Sequence, residues 1–271
     1  RMRVGSGGVM LPHYSPFKVA EVFRMLAVLY PDRIDLGLGR APGGDGLATA
    51  ALAFPREPID PRAYPRQVYD VMGHLYANLP AEHPFARVPA VPENGPSPEV
   101  WLLGSSGGSA ELAGQLGAGL ALALFIGTHE RTPAIVEAYK KAFRPSAGLA
   151  QPRWLVAVAG VAAPSAEEAY AIASSRSLWL TRAMAMGQIT RIEPPDVALA
   201  EAARLPAGAR RMFDESMAQT IIGTPQQCAD RLHALAGEYE TDEIAVVNVC
   251  HHFADRVRSY ELMAQGCGLA P

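Results

Sequence analysis

The sequence predicts an α/β protein built on a parallel sheet, and three observations predict it. Strand-like and helix-like segments alternate along the chain. Several strand-like segments are continuous apolar runs, as expected where both faces of a sheet are covered. Glycine- and hydroxyl-rich turns suited to an anion follow several different strands rather than one. The first two features fit a doubly wound sheet or a closed barrel. The third favours a TIM-type (β/α)8 barrel, whose sites gather from many strand ends. About six βα units are legible, and two more ahead of Arg1 would complete eight. The chain opens in strand-like sequence without an initiator methionine. The expectation is therefore a fragment, a barrel incomplete at its N-terminus, forming one domain over residues 1–271.

Met2 to Leu11 reads as a strand interrupted by Gly5, Gly7 and Gly8, which are costly there unless something approaches the backbone. Pro12 stops it. Ser15-Pro16 supplies an N-cap and a first-turn proline to a helix carrying Val19, Val22, Phe23, Leu26 and Leu29, ended by Tyr30-Pro31. In the next strand, Arg33 to Gly39, Ile34, Leu36 and Leu38 alternate with Asp35, Gly37 and Gly39. Gly37 and Gly39 are expected to admit a ligand to the backbone. Arg40, where the strand ends, can grip a phosphate with paired hydrogen bonds. The plainer alternative is a tight turn with a solvated arginine. Ala41 to Tyr64 has no clean period and is expected to be a long loop. A helix begins near Pro65 with Val68, Val71, Met72 and Leu75, and the proline-rich stretch from Leu79 to Pro98 reads as an extended surface connection.

Glu99 to Gly104 is a short buried strand. Ser105-Ser106-Gly107-Gly108-Ser109 leads from it into a helix spanning about Ala110 to Leu116. A strand, a Ser/Gly loop and a helix N-terminus suit an anion, through free N–H groups and the helix dipole. The plainer alternative is a serine-rich cap that serves its own helix. Leu120 to Ile126 is the next strand, and Thr132-Pro133 opens a helix through Ile135, Val136, Tyr139 and Phe143. Trp154 to Val161 is a strand, and Ser165 with Glu168 forms a capping box for a helix reaching about Met186. Residues 188–219 read as a helical insertion, broken by Pro206 and Gly208. Thr224-Pro225 caps a helix with Cys228, Leu232 and Leu235. Glu243 to Val249 is a strand, and Phe253 to Met263 the last helix.

Composition narrows the function classes. Hydrophobic residues make up 49% and charged residues 19%, enough for a large core. The net charge is −3 and no basic run occurs, which argues against nucleic acid as a partner. No apolar stretch has transmembrane length. Cys228, Cys250 and Cys267 are odd in number and far apart, which argues against a disulfide framework and for a reducing, cytoplasmic compartment. Cys228 and Cys250 read as packed, inert thiols. No cluster has zinc-ligand spacing.

Four segments together resemble the bacterial luciferase-like flavin monooxygenases: Arg3 to Pro16, Arg33 to Gly44, Leu102 to Gly117, and Ile222 to Cys228 with its Gly-Thr-Pro turn. Their order and spacing agree, and the match spans nearly the whole chain. The resemblance implies a TIM-type barrel binding reduced FMN at the C-terminal ends of its strands. It implies that Gly7 and Gly8 lie beneath the flavin ring, where the family often carries a non-prolyl cis peptide. It implies that Arg40 binds the phosphate, that Ser106 and Ser109 add hydroxyls, and that Gly107 and Gly108 lend N–H groups. Gly39 stands where luciferase itself has a reactive cysteine, which argues against the luciferase reaction proper.

The implied activity is oxygenation of a small organic substrate by O2 and reduced flavin, the latter supplied by a separate reductase. F420-dependent hydride transfer is the alternative within the same superfamily, and a non-catalytic FMN-binding protein is the reading from another class. Family members begin with two further βα units, about 60 residues, which carry a Glu-His-His-like segment with a catalytic histidine. This chain has no counterpart, so its catalytic residue is unknown. The expectation is that the natural protein is longer and that this stretch alone is inactive or poorly folded. A homodimer is implied by the family only. His13 and Tyr14 after the first strand, and His251 beside His252 after the last, are candidate substrate contacts. His129-Glu130 follows a strand on the same face, and Asp35 is a candidate interior polar group rather than a base. His74, His83 and His233 read as surface residues.

Overall fold

The computed structural model describes residues 2–41, 44–126 and 131–269. The His129-Glu130 pair, and Pro42 and Gly43 beyond Arg40, lie outside the described residues. The chain divides into two compact units, Arg1–Leu122 with Thr132–Trp154, and Ala123–Arg131 with Leu155–Pro271.

In the first unit the opening strand is two short pieces, β1 (Val4–Gly5) and β2 (Val9–Met10), both parallel to β3 (Ile34–Gly39). Close backbone packing explains the glycines between them. A Cβ on Gly37 would stand 2.1 Å from the Ser6 carbonyl oxygen, and one on Gly8 would stand 2.7 Å from the Gly37 oxygen. Ser6 fastens this contact: its Oγ donates to the Gly37 carbonyl (2.9 Å) and accepts from the Gly37 N–H (3.0 Å). Gly37 thus serves chain packing rather than ligand approach, which corrects the reading of that glycine. Gly39 keeps room, its nearest neighbour being 3.9 Å from the Cβ position.

Helix α1 (Pro16–Leu29) follows β2 with Ser15 at the N-cap position and Pro16 in its first turn as predicted, but the Ser15 hydroxyl makes no capping bond. Between β3 and the next long helix the chain is not a bare loop. It forms α2 (Gly46–Ala53), capped by Asp45, whose Oδ1 accepts from the Ala48 N–H at 2.8 Å, and one tight turn, Pro61–Ala63. An alanine-rich helix has no apolar stripe, so periodicity misses it while the cap and alanine propensity form it.

α3 (Tyr64–Leu75), β4 (Glu99–Gly104), α4 (Gly107–Leu116), β5 (Gly119–Ala123) and α5 (Ala134–Ala142) complete this unit. β3, β4 and β5 are parallel, with Leu38 beside Leu102 and Leu102 beside Leu120, all three buried. α4 starts three residues earlier than its apolar pattern suggests, which puts Gly107 and Gly108 in its first turn.

The reading of His74 and His83 as surface residues is corrected. Both are buried, because the proline-rich segment folds back over α3. His83 Nδ1 accepts from the Phe85 N–H (3.2 Å) and its Nε2 faces Asp70 at 3.3 Å. The His74 ring stands edge-on to Phe17, and burial holds its pKa below the usual histidine value against the opposing pull of Asp70. His233 is exposed, as expected. Asp35 pairs with Arg3, whose Nε lies 3.0 Å from Oδ2.

The second unit holds β6 (Trp154–Ala162), whose first residue belongs to the other unit. It continues with α6 (Ala166–Met186), α7 (Pro195–Ala202), α8 (Ala207–Gln219), β7 (Ile221–Gly223), α9 (Pro225–Glu238), β8 (Ile244–Val247) and α10 (Phe253–Gly266). Ser165 and Thr224 cap α6 and α9 through their side chains, the latter with the full reciprocal box. β7 was not expected; its three residues pair parallel with Gly160–Ala162, while β8 pairs with Val156–Ala159. The core gathers Val161, Ile172, Leu178, Phe213 and Met217, so α7 and α8 pack directly on α6. Cys228 is fully buried in this unit and Cys250 packs against the core; burial pushes both thiols up to about 11.

Candidate functional site

Parallel pairing decides which loops meet. Met10 pairs with Gly39 and Leu38 with Leu102, so the C-terminal ends of β2, β3 and β4 lie along one edge. Arg40 leaves the end of β3, and Ser106 leaves the end of β4. Arg40, Ser106, Gly108 and Ser109 line one cavity of about 440 Å³, together with Tyr64 and Leu103.

The start of α4 is built as an open cradle. Ser106 is its N-cap residue, but the hydroxyl makes no capping bond and lies 3.4 Å from the Ser109 hydroxyl. The Ser106 carbonyl accepts from the N–H groups of Ser109 and Ala110, each at 3.1 Å. Among the described residues, the N–H groups of Gly107 and Gly108 have no hydrogen-bond partner. A Cβ added at either glycine would meet no atom within 4 Å. Gly104 has a different reason: a Cβ there would sit 2.2 Å from the Ser109 Cβ, so this glycine makes room for that serine.

Arg40 is exposed and, among the described residues, has no carboxylate within ion-pair distance. Tyr64 is buried beside it and donates its hydroxyl to the Leu38 carbonyl at 3.2 Å. Burial raises the Tyr64 pKa, and the Arg40 charge opposes that rise, which places the guanidinium beside the phenol. The assembly offers the Arg40 cation, two hydroxyls and two free N–H groups at the positive end of a 10-residue helix. Those are the donors an anion needs. Arg62, paired with Asp60, and Glu111 also stand on the cavity wall.

The remaining predicted residues fall in three places. The Gly7–Gly8 peptide is cis, and a Cβ on Gly7 would face open space. His13 ends the tight turn Leu11–His13 after β2 and is buried, with its ring edge-on to that of the half-exposed Tyr14 at 6.4 Å. His251 is an exposed residue of the second unit, with Nδ1 2.8 Å from the Ile192 carbonyl oxygen and the His252 ring edge-on at 4.5 Å. The structure thus gathers Arg40 and the Ser106–Ser109 turn, while the histidines lie outside that cavity.

Two residues escaped the sequence reading. Tyr64 closes the stretch expected to be a long loop, and nothing in the sequence marks it as part of the site. Arg176 sits in the run Ser174-Ser175-Arg176-Ser177 midway along α6, and all four are buried. A polar run inside a long helix lacking an amphipathic stripe was the available signal. No helix among the described residues is long and apolar enough to cross a membrane.

Comparison with known proteins adds to this geometry. Residues 1–239 match the family described as luciferase-like monooxygenase. The uncharacterized protein YwcH of Bacillus subtilis (strain 168) is 42% identical over 98% of this chain and 78% of its own length. A luciferase-like monooxygenase of Escherichia coli (strain K12) is 33% identical over 96% of this chain and 75% of its own. The N-acetyl-S-alkylcysteine monooxygenase of Bacillus subtilis (strain 168) is 30% identical over 97% of this chain and 77% of its own. Among solved structures, apo-MsnO8 has a TM-score of 0.83 at 36% identity, covering 99% of this chain and 79% of that one. The fold class is the α/β, TIM-barrel type that the sequence predicts. An FMN complex of a Baeyer-Villiger monooxygenase at 17% identity and an F420-dependent alcohol dehydrogenase at 12% share the fold alone.

Proposed function

This chain belongs to the luciferase-like monooxygenase family, and we propose that it is a flavin-dependent monooxygenase using reduced FMN and O2 on a small organic substrate. The observation that carries the cofactor half is the cavity shared by Arg40, Ser106, Gly108 and Ser109. Its donors fit a phosphate. Arg40 supplies the charge and a bidentate fork, Ser106 and Ser109 supply hydroxyls, and Gly107 and Gly108 supply N–H groups that nothing else in the described chain uses. Reduced FMN, when bound, supplies the electrons that activate O2; the chain's share is to hold the phosphate and keep the ring out of water. Gly7, whose Cβ direction is open, leaves bare backbone at the adjoining strand ends for the ring. His13 and Tyr14 of the first unit are assigned as substrate contacts, and His251 is kept as a separate candidate contact of the second unit.

Oxygenation is preferred to F420-dependent hydride transfer because the relatives above with a named activity are monooxygenases at 30% and 33% identity. A separate reductase is assigned as the source of reduced cofactor. The test is a fluorescence titration with FMN and with F420, on the protein as it stands and on Arg40→Ala. FMN binding should saturate and weaken at least about tenfold in the variant, since a charge-assisted hydrogen bond contributes about 1.5–3 kcal/mol. Binding of F420 alone would move the assignment to hydride transfer. Binding of neither would remove the cofactor assignment.

A further inference from the structure

We propose that Arg176 forms a second anion site, within the second unit, that holds the carboxylate of a small organic acid with an apolar tail. The inference does not rest on the flavin reading, and its test needs no cofactor.

Arg176 is 7% exposed. Its Nη2 donates to the Phe125 carbonyl at 2.9 Å. Among the described residues no carboxylate lies within ion-pair distance, and burial lowers its pKa with no neighbouring charge to offset it. A buried charge without a partner is costly, several kcal/mol in typical cases. A guanidinium also carries a fork of N–H donors, and one carbonyl occupies a single prong. The remaining donors face a cavity of about 40 Å³.

The walls of that cavity specify the ligand. Leu180, Met184, Met212 and Phe125 give an apolar lining with two adaptable thioethers. Ser216, Thr220 and Glu215 add the polar rim, with the Glu215 carboxylate beyond ion-pair distance of the guanidinium. The Ser216 hydroxyl lies 3.0 Å from that of Ser177, and the Thr220 hydroxyl donates to the Ser216 carbonyl at 2.8 Å. The Ser175 hydroxyl, next to the arginine in the helix, is buried with no partner. The enclosed volume is a few waters' worth, room for a carboxylate and the start of a chain, and the exposed Met184 at its mouth is positioned to cover the remaining carbons. One cation in so small a space suits a monoanion rather than a phosphate. A planar fork against a planar carboxylate is the pairing Arg makes best.

The probes are acetate, butanoate and hexanoate, with 1-hexanol as the uncharged control. They are added to the cofactor-free protein and followed by calorimetry and by the thermal midpoint. Hexanoate should bind saturably, more tightly than acetate, and raise the midpoint, while hexanol should do neither. Arg176→Gln should weaken hexanoate binding about tenfold or more. Because that variant alters a buried charge, Gln219→Glu is made beside it. Gln219 lines the same cavity, so the near-isosteric change brings a carboxylate to the guanidinium. It should keep the fold and displace hexanoate. The proposal is overturned if no carboxylate binds the unmodified protein, if hexanol binds as well as hexanoate, or if binding survives Gln219→Glu.

Discussion

Arg24 on α1 and Arg176 on α6 are buried to nearly the same extent, 4% and 7% exposed, and neither meets a carboxylate among the described residues. They differ in what surrounds them. Arg24 directs its donors at three backbone carbonyls, Pro92 at 2.8 Å and those of Leu75 and Glu93. Each of its three nitrogens donates to a carbonyl, and it ties the proline-rich segment to the end of α3. Arg176 reaches one carbonyl, and the rest of its fork faces a cavity. The same residue type at the same burial is a strut where the chain satisfies its donors and a site where it does not. What separates the two is hydrogen-bond satisfaction, not charge or depth.

The largest effect expected from this contrast is on stability. Arg24→Met should cost about 3 kcal/mol or more, because it strands buried carbonyls. Arg176→Gln should cost about 1 kcal/mol or less, since it removes an unpaired charge along with one bond. Urea denaturation of the two variants measures both, and equal losses would break the comparison.

The glycines allow a second cut at the same distinction, between a gap the chain fills and one it leaves open. Gly37→Ala should cost about 2–3 kcal/mol, because its Cβ would strike the Ser6 carbonyl. Gly107→Ala should change stability by less than about 1 kcal/mol, since nothing lies within 4 Å. Thermal melts of these two should therefore separate clearly.

The smallest effect concerns a buried group kept neutral rather than charged. The Cys228 thiol is pushed up to about 11 by burial, above the usual value near 8.5. A folded pKa raised above the unfolded one contributes stability that is fully present below about pH 8.5 and lost as pH rises toward 11. Stability should fall by roughly 1–2 kcal/mol between about pH 8.5 and about pH 10, and Cys228→Ser should flatten part of the decline. The difference between Arg24→Met and Arg176→Gln should hold from pH 7 to 9, because arginine keeps its charge throughout that range.

The sequence carried the local rules well. α1 begins at its first-turn proline, although Ser15 makes no capping bond; α6 runs from its capping residue to Met186, and α9 starts at Thr224-Pro225. These signals lie within a few residues of the bonds they make, so they can be read without knowing the fold. Arg40 and the Ser106–Ser109 turn were also legible as separate phosphate signals. Their meeting in one cavity needed β3 and β4 to pair in parallel, which brings together loops about 65 residues apart. α2 and β7 were missed because one lacks an apolar stripe and the other is three residues long.

By itself, then, the sequence determined the order of strands and helices, their caps, and the residue types offered at each strand end, because those depend on neighbours along the chain. Tertiary structure alone decided that Gly37 packs against Ser6, that His74 and His83 are buried under the proline-rich segment, and that Arg24 is satisfied while Arg176 is not. The Gly37 and arginine contacts depend on partners 31 to 69 residues away, and whether a donor finds an acceptor at such a distance is set by packing, not by the residues beside it.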